Sequence, residues 1–202
     1  MTSFSSAFFE IRSTIFDVLV IDLNLNKNLK NGIQNYSKGE KYNQGRLELL
    51  GRIGADFNHY QKETNGKPFL LHSKKEISFS HSKNLMAIQV SQAFSPGIDV
   101  ELIREKIKIV SQKFLHQSEF FDDSFVALHI IWGAKEAIYK HWSLKSLSLI
   151  SDIRIMPFEK KESGEISGIL FPNTNKERHF KLDYHIINGF CLVYITQVIL
   201  PT

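Results

Sequence analysis

The sequence predicts an α+β fold in which short antiparallel strands outnumber the helices. Segments rich in β-branched and aromatic residues alternate with Gly, Pro, Asn and Ser turn signals, and two longer stretches carry apolar residues at helical spacing. The composition, 43% hydrophobic and 23% charged, is that of a globular protein. With 202 residues, the chain is long enough for one large domain or for two small lobes.

The first half of the chain is predicted to hold a strand, a helix and then a group of short strands. Residues 14–23 are rich in β-branched and aromatic side chains, which favours a strand, and residues 24–32 are loop-like. Apolar residues recur at helical spacing between 36 and 60, so we predict a helix there with an irregular first turn. Residues 65–68 (Asn-Gly-Lys-Pro) predict a turn. Three strands follow in what their spacing suggests is an antiparallel meander: 76–80, 85–91 and 97–101.

The second half is predicted to begin with helices and to end with strands. A short helix is expected after Arg104, and a longer one starts near residues 122–124 (Asp-Asp-Ser), which offer N-cap side chains, and runs towards Trp142. Four segments with strand composition, separated by turn signals, complete the chain: 151–158, 164–171, 178–187 and 190–199.

Charge and composition exclude several classes of protein. The net charge of +4 and the pI near 9.0 favour anionic partners, but no run of Lys and Arg forms a concentrated patch, so nucleic acid is not expected. No apolar run is long enough to predict a membrane span, and the N-terminal segment lacks the basic start of a secretion signal. The single cysteine, Cys191, has apolar neighbours and is expected to be a buried thiol. These observations predict a cytoplasmic protein.

Two stretches carry the residues best suited to chemistry. In Gly-Ile-Asp-Val-Glu, residues 97–101, Asp99 and Glu101 lie at i and i+2, so an extended chain directs both carboxylates to one face. In Trp-Gly-Ala-Lys-Glu-Ala-Ile-Tyr-Lys, residues 132–140, Glu136 and Lys140 lie at i and i+4 on one helix face. If the helix packs across the strand, three carboxylates and an ammonium group converge, and oxygen ligands of this kind suit Mg²⁺. The alternatives are solvated acids on a strand and an ordinary stabilising pair on an exposed helix.

Two further blocks contain candidate binding residues. Lys67 follows Gly66 in the predicted turn, and Ser80 and His81 lie in Ile-Ser-Phe-Ser-His-Ser, residues 77–82. No Gly-x-Ser-x-Gly motif surrounds Ser80, so the Ser-His pair does not indicate a serine hydrolase, and by itself it is more typical of an ordinary turn. No Walker phosphate loop and no Gly-x-Gly-x-x-Gly sequence follows a predicted strand.

These four blocks, in this order, resemble the signature of the 4'-phosphopantetheinyl transferases, and in particular of the single-chain Sfp-type members. The resemblance spans roughly residues 36–150. It implies two similar α+β lobes, related by a pseudo-twofold axis, with antiparallel sheets and an active site in the cleft between them. With a boundary at the Ser-Pro-Gly turn, the lobes would comprise residues 1–96 and 97–202. The resemblance also implies a monomer, since shorter members form the same cleft between subunits.

The resemblance implies a function as well. Members transfer the 4'-phosphopantetheine group from coenzyme A to a serine of an acyl or peptidyl carrier protein, with Mg²⁺ as cofactor. Carried onto this chain, the metal ligands are Asp99, Glu101 and Glu136; the glutamate at the position of Glu136 completes the metal site or acts as the base towards the serine, directly or through a metal-bound water. The residues expected to bind coenzyme A are Arg46, Lys67, Ser80, His81 and Lys140, of which Lys140 contacts the pyrophosphate.

Two features depart from the family pattern. Gly133 stands where a small hydroxyl residue or cysteine is usual, and glycine costs about 1 kcal/mol in a helix relative to alanine. After Lys140, residues 141–147 replace the Gly-containing turn that is usual in the family. Two alternatives stay open: a catalytically degenerate relative that binds coenzyme A, and an unrelated α+β interaction domain whose motif matches are coincidental.

Overall fold

A computed structural model describes residues 8–24, 37–119, 122–143, 147–171 and 174–199. The predicted α+β class is confirmed, because antiparallel strands and few helices make up these residues. The helices are α1 (Lys38–Arg52), α2 (Ile107–Val110) and α3 (Phe125–Trp142). The strands of the first half are β1 (Phe8–Arg12), β2 (Phe16–Asp22), β3 (Tyr60–Lys62), β4 (Pro68–Leu70), β5 (Glu76–Ser82) and β6 (Leu85–Ser91). Those of the second half are β7 (Ile98–Leu102), β8 (Ile153–Ile155), β9 (Ser163–Leu170), β10 (Arg178–Ile187) and β11 (Phe190–Ile199).

Two antiparallel sheets form the body of the structure. The first has the strand order β1-β2-β6-β5, and the second has the order β7-β11-β10-β9-β8. A separate two-stranded ribbon joins β3 and β4. Every strand of the first sheet therefore precedes residue 96, and every strand of the second follows it.

The predicted meander of three strands is wrong at its third strand. β5 pairs with β6 as expected, but β6 pairs next with β2, and β7 pairs with β11 in the other sheet. The chain changes sheets at Gly97, where a Cβ atom would overlap the carbonyl oxygen of Ala137 in α3. The Gly97 amide also donates to the side-chain oxygen of the buried Gln89, at 3.0 Å. These contacts draw the start of β7 towards α3.

The two sheets share a core and carry one long helix on each outer face. Strand alternation separates the faces: Leu19 and Ile21 of β2 pack towards α1, whereas Val18 and Val20 pack against the second sheet. The far face of the second sheet packs on α3. The site depends on the same alternation in β7, which buries Ile98 and Val100 between the sheets. Its two acidic side chains therefore point to the α3 side.

The predicted helix over residues 36–60 is shorter than expected. Ser37 caps α1 in a capping box with Glu40, and α1 ends at Arg52 because Gly54 takes a φ of +69°. The remainder of the predicted helix is a single 3₁₀ turn, Phe57–His59, followed by β3. The strands β1, β3 and β4 were not predicted. The predicted loop at residues 24–32 lies, beyond Asn24, outside the described residues.

The longer elements of the second half agree with the sequence. Ser124 caps α3, as its position predicted, and α3 ends at Trp142 because the next residue, Ser143, takes a φ of +56°. β10 and β11 have the predicted bounds, while the predicted strand at 151–158 is limited to the three residues of β8. None of the helices in the described part of the chain is long and apolar enough to cross a membrane.

Candidate active site on β7 and α3

Asp99 of β7 lies at the centre of the candidate site. Its Oδ1 atom accepts hydrogen bonds from the Ser80 hydroxyl and from the Lys140 ammonium group, each at 2.8 Å. Lys140 also donates to the carbonyl oxygen of Ile98 at 2.9 Å. The Oδ2 atom of Asp99 is buried and has no hydrogen-bond partner among the residues that the structure describes. A buried carboxylate oxygen without a partner is costly unless a further group neutralises it.

Glu136 of α3 adds a second carboxylate close to Asp99. Burial, and then the charge of Asp99, raise the pKa of Glu136 to about 7, with a smaller contribution from Glu101 and an opposing one from Lys140. Glu136 is therefore poised between its acid and base forms near neutral pH, as a general base requires. Lys140 follows one helical turn later on the same face.

Glu101 completes the group from the far end of β7. Its Oε2 atom accepts a hydrogen bond from the Ser82 hydroxyl at 2.8 Å, and the same hydroxyl accepts one from the Leu102 amide at 3.2 Å. Burial, and then the Asp99 charge, raise the pKa of Glu101. Asp99 raises the pKa values of both Glu101 and Glu136, and Glu101 adds to the effect on Glu136, so β7 and α3 bring these three carboxyl groups close together.

The donor chemistry of this group fits a hard cation, although a metal cage is not preassembled. Within the ranges that the structure describes, no three His, Cys, Asp or Glu side chains are arranged to hold a metal ion. The group nevertheless combines three carboxylates, the Lys140 ammonium group and the unpartnered Oδ2 of Asp99. Mg²⁺ takes few protein carboxylates and completes its octahedron with water and substrate phosphates, so it does not need a full cage.

Ser80 and His81 point in opposite directions from β5. Ser80 is buried and its hydroxyl is engaged by Asp99, so its observed contact is with the carboxylate group. His81 is exposed and lies against the Tyr42 ring, with the ring centroids 4.1 Å apart. It lines an open cavity of about 790 Å³ together with Asn24, Lys41, Tyr42, Ser82, Lys83, Asn84 and Arg104. Among the described residues that line this cavity, three are basic and none is acidic, so this part of the lining is basic.

Lys67 lies at a second, smaller cavity of about 220 Å³ that it shares with Lys140. The wall of this cavity is largely apolar and includes Pro68, Phe79 and Tyr139. The Lys67 ammonium group donates to Ser95 Oγ at 2.6 Å and to Glu76 Oε2 at 3.1 Å. The structure thus places Lys67 beside Lys140, with its charge partly offset by Glu76.

Arg46 is not brought to either cavity. Its guanidinium group lies over the rings of Tyr60 and Phe79, at 5.1 and 5.9 Å from their centroids, and donates to Asn43. Its observed contacts are those of a residue that packs α1 onto the edge of the sheet.

Sequence reasoning did not single out Ser82, Lys83 or Arg104 as site residues. Ser82 could have been found, because Ser80 and Ser82 repeat at i and i+2 in the same way as Asp99 and Glu101. Lys83 and Arg104 carry no local signal, since they become neighbours only when β5 and β7 lie side by side.

Gly133 has a packing role next to the site. A Cβ atom at this position would lie 2.7 Å from Cγ2 of Val193 and 3.8 Å from Oδ2 of Asp99. The glycine therefore allows α3 to approach β11 closely beside Asp99, which explains why the helix tolerates it.

Comparisons with known proteins add no relative. A scan of the chain against protein-family models finds no match, and a search of curated proteins finds none either.

Proposed function

We propose that this protein transfers the 4'-phosphopantetheine group of coenzyme A to a serine hydroxyl of an acyl or peptidyl carrier protein. The observation that carries the proposal is the meeting of β7 and α3, which joins Asp99 and Glu101 with Glu136 and Lys140. We also propose that residues 1–96 and 97–202 form two similar lobes of a cytoplasmic monomer. The separation of the two sheets at this point in the sequence supports that division.

The two cavities suit different parts of coenzyme A, which is a polyanion. Lys140 and Lys67 share the smaller cavity, where ammonium groups would offset charge on the diphosphate. The basic cavity beside His81, with Lys41, Lys83 and Arg104, would attract the remaining phosphate charge.

In the proposed reaction, the serine oxygen attacks the β-phosphorus of coenzyme A. The bond from this phosphorus to the bridging oxygen breaks, and adenosine 3',5'-bisphosphate leaves with the electron pair. Glu136 accepts the serine proton, as a general base within reach of the attacking hydroxyl would. Lys140 offsets charge on the phosphates, and such transfers depend chiefly on positioning and electrostatic stabilisation.

Asp99, Glu101 and Glu136 would hold the magnesium ion. When bound, the ion would neutralise negative charge on the diphosphate. Asp99 contributes the buried Oδ2 atom, while its Oδ1 atom is oriented by Ser80. Ser82 orients Glu101 in the same manner.

The test is a mass-spectrometric assay of purified apo acyl and peptidyl carrier proteins with this protein, coenzyme A and Mg²⁺, with and without a chelator. We expect a gain of one phosphopantetheine group that the chelator prevents. Asp99→Asn keeps the shape and removes the charge, and it should abolish transfer. Asp183→Asn is the matched control, because Asp183 is a partly buried carboxylate of β10 that accepts a hydrogen bond from Tyr194 away from the site.

A mass gain that survives both the chelator and Asp99→Asn would refute the proposed metal site. No gain on any carrier, together with coenzyme A binding, would favour a binding protein that does not transfer. Neither transfer nor binding would reject the proposal.

A further inference from the structure

A second ionic group lies inside the protein, on a different side of α3 from the carboxylates. The side chains of Lys135 and Glu119 are both 0% exposed, and Lys135 Nζ lies 2.6 Å from Glu119 Oε2. Lys135 also donates to three carbonyl oxygens, those of Phe114 and Leu149 at 2.7 Å and that of Ile153 at 2.9 Å. All donors of the ammonium group are therefore engaged.

Glu119 is equally well satisfied. Its Oε1 atom accepts a hydrogen bond from the Ile155 amide and its Oε2 atom accepts one from the His116 amide, each at 2.7 Å. The pair therefore joins three parts of the chain: α3, the 3₁₀ turn Gln117–Glu119 that precedes it, and the segment that enters β8. Fully buried lysine is rare, and a buried ion pair often stabilises a fold no better than apolar residues would. The stability of the fold alone does not explain its presence.

The position of the pair on α3 points to a further role. Successive helical residues are separated by 100°, so Lys135 and Glu136 project in different directions from adjacent positions. An anchor at Lys135 fixes the rotation of α3 about its axis. That rotation decides whether Glu136 and Lys140 face Asp99.

We propose that Lys135, paired with Glu119, is a positioning residue that holds α3 in the rotation at which Glu136 and Lys140 meet Asp99. The inference rests on the proposed transferase function for its kinetic consequence, but its structural consequence is independent of that function.

The experiment uses the double substitution Lys135→Met with Glu119→Gln. The single substitution Lys135→Met would leave Glu119 charged and buried without a partner, which threatens folding. In the double variant the new amide oxygen can accept from the Ile155 amide, and its NH₂ group can donate to a carbonyl that Lys135 leaves, while the His116 amide loses its acceptor. The matched control is Lys181→Met with Glu165→Gln, which removes a pair 3.2 Å apart with side chains 42% and 53% exposed.

Two readouts decide the inference. A crystal structure of the double variant should show α3 rotated and the contact between Lys140 Nζ and Asp99 Oδ1, now 2.8 Å, lost. In the transfer assay, kcat should fall about 10- to 100-fold while the KM for coenzyme A changes little, because a small misplacement of reacting groups has an effect of this size. The control variant should match the wild type in both readouts.

The inference is overturned if the crystal structure keeps the Lys140–Asp99 contact and an unrotated α3, or if kcat equals that of the wild type. If the wild-type protein transfers nothing, the proposed function fails, and the crystal structure still decides the role of Lys135. If the double variant does not fold, Glu119→Asp replaces it, since this change keeps both charges but shortens the anchor by one methylene. The same two readouts then apply.

Discussion

The negative charge of Glu136 is destabilised by burial and by the neighbouring carboxylate of Asp99. Removing this charge should therefore change the stability of the fold, which tests the candidate site without any assay of transfer. The pKa of Glu136 is raised from its usual value of 4.5 to about 7, chiefly by burial and by the neighbouring Asp99. Between these two pH values the folded protein binds a proton that the unfolded chain does not. Stability therefore falls as the pH rises through this window, and the full cost is present above pH 7.

The expected change in stability follows from the shift in the pKa of Glu136. At about 1.36 kcal/mol for each pH unit, moving the pKa of Glu136 from 4.5 to about 7 corresponds to an upper limit of about 3 kcal/mol. Glu136→Gln should therefore raise the free energy of unfolding by up to about 3 kcal/mol at pH 8, and by less than about 1 kcal/mol at pH 5. In a protein of this size, the gain at pH 8 corresponds to an increase in Tm of about 6–12 °C.

The assay is urea or thermal unfolding at several pH values in the presence of a chelator, since a bound cation would offset the repulsion among the carboxylates. Added Mg²⁺ should stabilise the wild type more than the Glu136→Gln variant and so reduce the difference between their free energies of unfolding. Glu165→Gln serves as the control, because an exposed ion pair contributes about 0–1 kcal/mol. A Glu136→Gln variant that is less stable than the wild type at pH 8, or equally stabilised at pH 5 and 8, would refute the reasoning.

Two further substitutions test the packing and hydrogen bonding beside Asp99. Gly133→Ala brings a Cβ atom against Val193 and should destabilise the fold by about 1–3 kcal/mol despite the better helix propensity of alanine. In a Val193→Ala background the same substitution should cost much less, because the overlapping methyl group is gone. Additive effects of the two substitutions in a double-mutant cycle measured by urea unfolding would contradict the contact. Ser80→Ala removes a hydrogen-bond donor to the buried carboxylate of Asp99, so we expect the free energy of unfolding to fall by about 1.5–3 kcal/mol. The KM for coenzyme A should rise as well only if Ser80 also contacts that substrate. An unchanged unfolding free energy would show that the hydroxyl does not support Asp99.

The parts of the fold that the sequence predicted are those with local causes. Strand alternation placed Asp99 and Glu101 on one face of β7, and the Ser124 side chain marked the start of α3. The bounds of β10 and β11 were predicted correctly because a turn at Gly189, whose φ is +79°, separates two long segments with strand composition. In each case the deciding interaction joins residues close in sequence.

The parts that sequence reasoning missed depend on contacts between distant residues. β7 pairs with β11 in the second sheet, and Gly97 before it packs against Ala137, forty positions away in the chain; no feature of residues 97–101 indicates either partner. The direction of Ser80 has a similar origin. A serine in a half-buried strand can face a ligand or a carboxylate, and only the approach of β5 to β7 determines that it meets Asp99.

The hydrogen bonds from β5 to β7 give a physical reason why a Ser-His-Ser segment and an Asp-x-Glu segment should occur together in one chain. β5 is the edge strand of the first sheet and β7 is the edge strand of the second. Ser80 donates to Asp99 and Ser82 donates to Glu101, so the same i, i+2 spacing on both strands sets the two carboxylates in register across the sheets. His81 lies between the two serines and points the other way, into the basic cavity. One strand thus orients the carboxylates with its inner face and directs an imidazole into the basic cavity with its outer face.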